Sequence, residues 1–139
     1  MNFYYGFIFE TTARKIKVAL QQKFNEHNID ITVDQWMVLL ELHDNGTLNQ
    51  VTLCKLCGKD APTTTHILKL LIKKELITRE VCEDDRRCFN ISLSKKGKVM
   101  IQKVLPIVIE FRQKGWHELS KKDEEHLIRI ATKITQNLY

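Results

Sequence analysis

Helix breakers are scarce in this chain: its 139 residues include only 2 prolines and 5 glycines. With 43% hydrophobic and 28% charged residues, that scarcity excludes a disordered segment and points to a folded, helix-rich protein. Long apolar runs are missing too. None approaches the roughly 20 residues that span a bilayer, and Met1 to Glu10 has neither a basic start nor an uninterrupted apolar stretch with a cleavage site. Membrane insertion and export are therefore not expected, and a cytoplasmic location is. There is no glycine-rich phosphate loop and no nucleophile motif. His27, His43, His66, His117 and His126 share no ligand spacing with one another or with the cysteines, which speaks against an enzyme, including a zinc enzyme, and implies no catalytic residue, metal site or cofactor.

What is present fits one domain. A chain of this length buries a sizeable core and is short for two domains, so residues 1–139 are expected to form a single one. The net charge of +5 is modest, but it is unevenly placed. From Lys55 to Lys103 there are 12 Lys and Arg against 6 Asp and Glu, whereas the rest of the chain holds 10 against 11. A positive zone between near-neutral flanks is the footprint of a polyanion-binding face, because phosphate neutralisation supplies most non-specific affinity. The alternative is an ordinary solvated surface.

Four cysteines stand at Cys54, Cys57, Cys82 and Cys88. The first two are spaced C-x-x-C, which invites zinc. The second pair has five residues between its members, however, and Cys54 and Cys57 fall in an apolar helical stripe with Leu53 and Leu56, where a thiol behaves as a small hydrophobe. Structural zinc is not expected. Structural disulfides are not expected in the cytoplasm either, although Cys82 and Cys88 stand across a hairpin from each other and are candidates for oxidation.

Apolar spacing predicts the elements. Phe7, Ile8, Ile16, Ala19, Leu20 and Phe24 recur at helical intervals between Phe3 and about Asn28. Thr32 is an N-cap type of residue ahead of Val33, Trp36, Met37 and Leu40, and this second helix is stopped near Asp44-Asn45-Gly46. After a short extended stretch at Thr47 and Leu48, a third helix runs from Asn49 to Cys57 and ends at Gly58. A fourth, Ala61 to Glu75, carries Pro62 in its first turn, where the missing N–H is harmless. Two helices joined by a tight glycine-containing turn make a helix-turn-helix. Leu76 to Cys82 and Cys88 to Leu93 read as strands around the charged tip Glu83-Asp84-Asp85-Arg86-Arg87, a wing. Ser94 caps a long helix carrying Val99, Val104, Leu105, Val108 and Phe111, which Pro106 is expected to bend. Ser120 and Asp123 open a last helix with Leu127, Ile128, Ala131, Ile134 and Leu138, spaced as a capping box with Asp in place of Glu or Gln. The fold class is mainly α with a small β-wing.

A recognition helix must present polar side chains outward while its other face is pinned to a core. In the fourth helix Thr64, Ile67, Leu68 and Leu71 follow a core stripe. Pro62, Thr63, Thr65, His66, Lys69 and Lys73 lie mostly opposite, with hydroxyls near the N-terminus suited to phosphate and base contacts beside free N–H groups. The alternative is that the threonines only cap and pack. At the wing tip Arg86 and Arg87 are suited to a minor groove, with Asp84 or Asp85 holding one of them in a bidentate pair. A solvated, self-neutralising turn is the bland reading.

Thr47-Leu48-Asn49-Gln50, Leu53, Leu56, Pro62-Thr63-Thr64-Thr65-His66, Lys73-Lys74-Glu75-Leu76-Ile77-Thr78-Arg79, Asp85-Arg86-Arg87 and Ser92-Leu93-Ser94-Lys95-Lys96-Gly97 together resemble the MarR family of winged helix-turn-helix regulators. These motifs cover about half the chain. The resemblance implies a homodimer on double-stranded DNA, with terminal helices at about 1–30 and 100–139 interleaved and a DNA-binding lobe at about 32–98. It implies Asp85 as a brace and Arg87 as a minor-groove probe. It also implies a small aromatic or apolar effector held between the dimer-forming helices and that lobe, with Trp36 a candidate wall. His66 stands where the family commonly has Arg, and Glu75 where it usually has Gly, which suggests a different helix exit. Phe7, Ile8, Phe111, Ile134 and Leu138 are expected at the dimer interface, since these helices carry too much apolar surface for a small monomer. The competing classes are a winged-helix protein-interaction module without DNA binding, and a cysteine-based redox-responsive regulator.

Overall fold

The computed structural model describes residues 4–139, so the expected start of the first helix at Phe3 lies outside the described residues. The elements run α1 Tyr5–Glu26, α2 Val33–Asn45, β1 Leu48–Asn49, α3 Gln50–Cys57, α4 Ala61–Lys73, β2 Ile77–Val81, β3 Phe89–Leu93, α5 Lys95–Gly115 and α6 Lys121–Leu138. They form two compact units, Met1–Val108 and Ile109–Tyr139, with the division inside α5.

In the first unit the helix ends are set by local chemistry. Thr32 accepts the N–H of Gln35, and Gln35 Oε1 accepts the N–H of Thr32, a reciprocal box that fixes where α2 starts. Asn49 Oδ1 accepts the N–H of Thr52 to begin α3, and Gly58 ends it at φ +64, a left-handed conformation that glycine adopts without strain. The core gathers Phe24 from α1, Trp36, Val38 and Leu39 from α2, Leu53 from α3, Leu71 from α4, Ile91 from β3 and Ile101, Val104 and Val108 from α5. Burying each such side chain contributes about 1.5–3 kcal/mol. Phe24 and Trp36 meet edge to face with centroids 6.5 Å apart, a favoured aromatic geometry.

Three expectations change. The wing is not a ribbon alone: β1 pairs antiparallel with β3 through Leu48 opposite Ile91, making a three-stranded sheet in the order β1-β3-β2. Val99 is 63% exposed, so the buried side of α5 is Gly97, Ile101, Val104 and Val108, and Leu56 likewise faces outward rather than joining Leu53 in the core. Glu75 sits at φ +62, so the chain leaves α4 through the left-handed conformation that glycine would supply and the expected change of exit does not occur.

Ser94 links the wing to α5. Its Oγ donates to the carbonyl of Glu75 and accepts the N–H of Gly97, at 2.6 and 3.0 Å. Gly97 packs so closely on the chain that a Cβ there would collide with the carbonyl oxygen of Leu76. The helical assignment of α5 continues through Pro106.

In the second unit Ser120 and Asp123 form the anticipated capping box, with Asp123 Oδ2 accepting the N–H of Ser120 at 2.7 Å. The N–H and the hydroxyl of Ser120, both donating to this carboxylate, hold it below its ordinary pKa. No residue of α6 is fully buried; Ala131 and Ile134 are half-buried, and Leu127, Ile128 and Leu138 are exposed.

Candidate nucleic-acid interface

Helix α4 is held from three sides. Thr64, Ile67, Leu68 and Leu71 are buried, and Thr64 Oγ1 donates to the carbonyl of Asp60 at 3.0 Å, so the one hydroxyl inside the core is satisfied. At the far end Lys74 Nζ donates to the carbonyl of Asp30 at 2.8 Å and to Gln35 Oε1 at 3.1 Å, tying the helix to the start of α2. Gln50 Nε2 reaches Thr65 Oγ1 at 3.4 Å, joining α3 to α4. What remains outward are Pro62, Thr63, His66, Lys69 and Lys73, all exposed, and Thr65, half-exposed. The sequence separated these two faces of α4 correctly.

The N-terminus of α4 differs from the expectation of free N–H groups. The Asp60 carboxylate accepts the N–H of Thr63 at 2.7 Å, and hydrogen bonds from Thr63 keep its pKa below the ordinary value. That amide is therefore committed to a side chain carrying negative charge.

The wing tip is organised through its backbone. Asp85 Oδ1 accepts the N–H of Arg87 at 2.9 Å, and the Asp85 carbonyl accepts the N–H of Cys88 at 3.1 Å. Asp85 thus braces the turn rather than pairing with a guanidinium, and both Arg86 and Arg87 project as exposed side chains. Just below the tip, Cys82 and Cys88 are joined as a disulfide, with Cα atoms 5.3 Å apart. The pairing expected only as a response to oxidants is made here. Cys54 and Cys57 are unpaired and half-buried, and burial, followed by the nearby Glu41 and Cys54, raises the Cys57 thiol to about 11 against the opposing pull of Lys59.

Between wing and helices lies an open cleft of about 550 Å³, lined among others by Asn49, Gln50, Lys55, Thr65, Arg79, Arg87 and Phe89. Arg79 and Lys55 were not singled out by sequence reasoning. Arg79 stands two residues beyond buried Ile77, so strand alternation places it on the same face of the sheet, and its guanidinium lies over the ring of Phe89, 3.6 Å from the centroid. A second cavity, about 430 Å³, is bounded by Leu42, His43, Thr47, Ser92, Lys98 and Ile101. Trp36 lines neither; it is buried in the core.

The ion pairs among the described residues use Lys17, Lys23, His43, Lys59, Lys74 and Lys96. Among the described residues Lys55, Lys69, Lys73, Arg79, Arg86 and Arg87 have no carboxylate partner.

A helix-turn-helix followed by a hairpin, on a sheet completed by the strand that precedes it, defines a winged helix-turn-helix protein. The MarR family model matches residues 31–89, the segment that holds α2 to the start of β3. The structure of the S. aureus MepR–DNA complex superposes with a TM-score of 0.85 at 28% identity, covering 98% of this chain and 99% of that one. A cysteine-to-serine mutant of E. coli MarR complexed with operator DNA gives a TM-score of 0.83 at 21% identity over 93% and 91% of the two chains, a likeness of fold. B. bronchiseptica BpsR, whose DNA binding is regulated by 6-hydroxynicotinic acid, gives 0.81 at 19% over 94% and 97%, again a likeness of fold. Residues 31–89 thus match the MarR family, and the chain as a whole has the winged-helix fold of these regulators. No helix among the described residues is long and apolar enough to cross a membrane.

Proposed function

We propose that the chain is a sequence-specific double-stranded-DNA-binding repressor that acts in the cytoplasm as a homodimer on a pseudo-palindromic operator and responds to a small aromatic or apolar effector. One observation carries the DNA reading: Lys55, Arg79 and Arg87 line the cleft between α3, α4 and the wing, Lys69, Lys73 and Arg86 are exposed on α4 and the wing tip, and among the described residues none of the six has a carboxylate partner. Uncompensated cations gain most from releasing the counterions condensed on a duplex. Pro62, Thr63, Thr65 and His66 lie where a recognition helix meets base edges, Lys69 and Lys73 continue the same face toward phosphates, and Arg86 and Arg87 reach a neighbouring minor groove from a tip whose turn Asp85 holds. Lys55 and Arg79 add phosphate contacts from the cleft.

The dimer reading is supported within each unit by apolar side chains left in water. Phe7 and Ile8 are exposed on α1, and Leu138 on α6, while Phe111 and Ile134 are half-buried. Effector control is supported by the regulated relative BpsR.

Anisotropy titrations with a labelled random-sequence duplex over a salt series test the central claim. Binding is expected to weaken steeply with salt, and Arg87→Ala to weaken binding to every duplex while lowering the log–log salt slope by about 1. Substitution of Thr65 or His66 is expected to alter sequence preference instead. No binding at low salt, or binding indifferent to salt, would turn the reading toward a protein-interaction module.

A further inference from the structure

The tip of the wing has little to hold it. Its backbone is fixed by the Cys82 N–H donating to the Cys88 carbonyl at 2.9 Å, the Cys88 N–H donating to the Asp85 carbonyl, and the Arg87 N–H donating to Asp85 Oδ1. Among the described residues no side chain of Glu83, Asp84, Arg86 or Arg87 is in an ion pair. The one covalent restraint is the Cys82–Cys88 bond at its base, which closes a loop of sequence separation 6. It follows directly on the last ladder pair, Val81 opposite Phe89, so the sheet below can stay paired whether the sulfurs are joined or not. Both cysteines are part-exposed, within reach of small molecules in solvent.

We propose that Cys82 and Cys88 form a reversible thiol–disulfide site that sets the grip of the wing on DNA, an inference that rests on the DNA-binding reading above. With the bond closed, the tip is held in the form that presents Arg86 and Arg87, and less conformational freedom is lost when they enter a groove. With the bond open, only the short-range hydrogen bonds remain and the tip must be ordered during binding.

The oxidant is a hydroperoxide. One thiolate attacks the outer peroxide oxygen, the O–O bond breaks, and the alkoxide leaves and takes a proton as the alcohol. The second thiolate then attacks the sulfenic sulfur, the S–S bond forms, and the displaced hydroxide leaves as water. The two sulfurs together lose two electrons and the peroxide gains them. A low-molecular-weight thiol reverses the step through a mixed disulfide, and a second equivalent of that thiol carries away the oxidised product. Cys57 is a poor competitor, because its half-buried thiol is held mostly protonated.

The test uses the full chain and a labelled random-sequence duplex, after cumene hydroperoxide or after dithiothreitol, with peptide mass analysis of the cysteine pairs and hydrogen exchange across residues 83–87. Oxidised protein is expected to carry the Cys82–Cys88 cross-link, to exchange more slowly at the tip and to bind about threefold to tenfold more tightly than reduced protein. C82S/C88S is expected to bind at the reduced level under both treatments, and C54S/C57S to keep the full response. Circular dichroism of each variant identifies any loss of fold, and the wild-type comparison stands without them. Equal affinity in the two states, tighter binding by the reduced form, or a response that survives in C82S/C88S overturns this inference and leaves DNA binding intact. Absence of duplex binding in both states overturns the two together.

Discussion

The helix-turn-helix lobe and the terminal helices use the same kinds of apolar residue to opposite ends. Between residues 31 and 93, Trp36, Leu39, Leu42, Leu53, Leu71 and Ile91 are all buried within a single chain. Along α1 only Leu20 and Phe24 are buried, and along α6 none is. The lobe's core is closed within one chain, with Phe24 of α1 and Ile101, Val104 and Val108 of α5 completing it; the rest of the terminal helices carries the surface that the proposed homodimer covers. A substitution should therefore be read in folding stability in one region and in association in the other.

The largest effect belongs to the lobe. Leu71→Ala removes a fully buried side chain from the inner face of α4 and is expected to destabilise the fold by about 2–5 kcal/mol, seen as a lower urea midpoint. Phe7→Ala should do the reverse of this in kind. Phe7 is 59% exposed, so its loss should change folding stability by under about 0.5 kcal/mol when association is absent, while sedimentation equilibrium shows a dimer dissociation constant raised about tenfold. If Phe7→Ala left association unchanged, the terminal faces would lose their assigned partner.

The same contrast explains what could be read from sequence. Within the lobe, periodicity and caps agree, so Thr32 as the cap of α2, the stop at Asn45-Gly46 and the two faces of α4 were legible from local spacing, whereas the answering contact from Gln35 was not. The sheet was less so: β1 is two residues long, and its partner Ile91 lies 43 positions beyond Leu48, a pairing no local pattern records. Val99 shows the limit of the apolar count, since helical spacing cannot tell which of two apolar stripes a neighbour covers. In the candidate site, Lys69, Lys73, Arg86 and Arg87 were visible because they stand in recognisable positions. Arg79 was not, because its relation to the cleft depends on how the strand packs beneath the helices.

A smaller effect comes from the exit of α4. Glu75 adopts φ +62, which costs an L-residue roughly 1 kcal/mol or more, and its only charged partner among the described residues is Lys96 at 3.7 Å on the surface, a contact worth little. Glu75→Gly is expected to leave the fold intact and raise its stability by up to about 1 kcal/mol, part of the relief being offset by the greater freedom of glycine in the unfolded chain. A clear loss on thermal or urea denaturation would mean that the carboxylate, rather than the backbone, governs this corner.

The smallest effect sharpens the comparison where the lobe meets α1. Asp34, in the first turn of α2, lies 2.8 Å from Lys17 of α1 and 3.2 Å from Lys59 of the α3–α4 turn. Burial pushes its pKa up, but hydrogen bonds and charge attraction from the two lysines outweigh burial and leave it below the ordinary 3.8. A carboxyl that binds its proton less tightly when folded contributes stability above its unfolded pKa, and that contribution disappears as pH falls through the depressed folded value. Asp34→Asn should therefore cost under about 1 kcal/mol near neutral pH, as partly exposed ion pairs do, and the gap between wild type and variant should close as the pH is taken below 3.8. Urea midpoints at pH 7 and in that acid range measure it. A gap of unchanged size in acid would assign the contact to packing of the lysine stems, and α1 would then be held to the lobe by apolar contact through Leu20 and Phe24 rather than by charge.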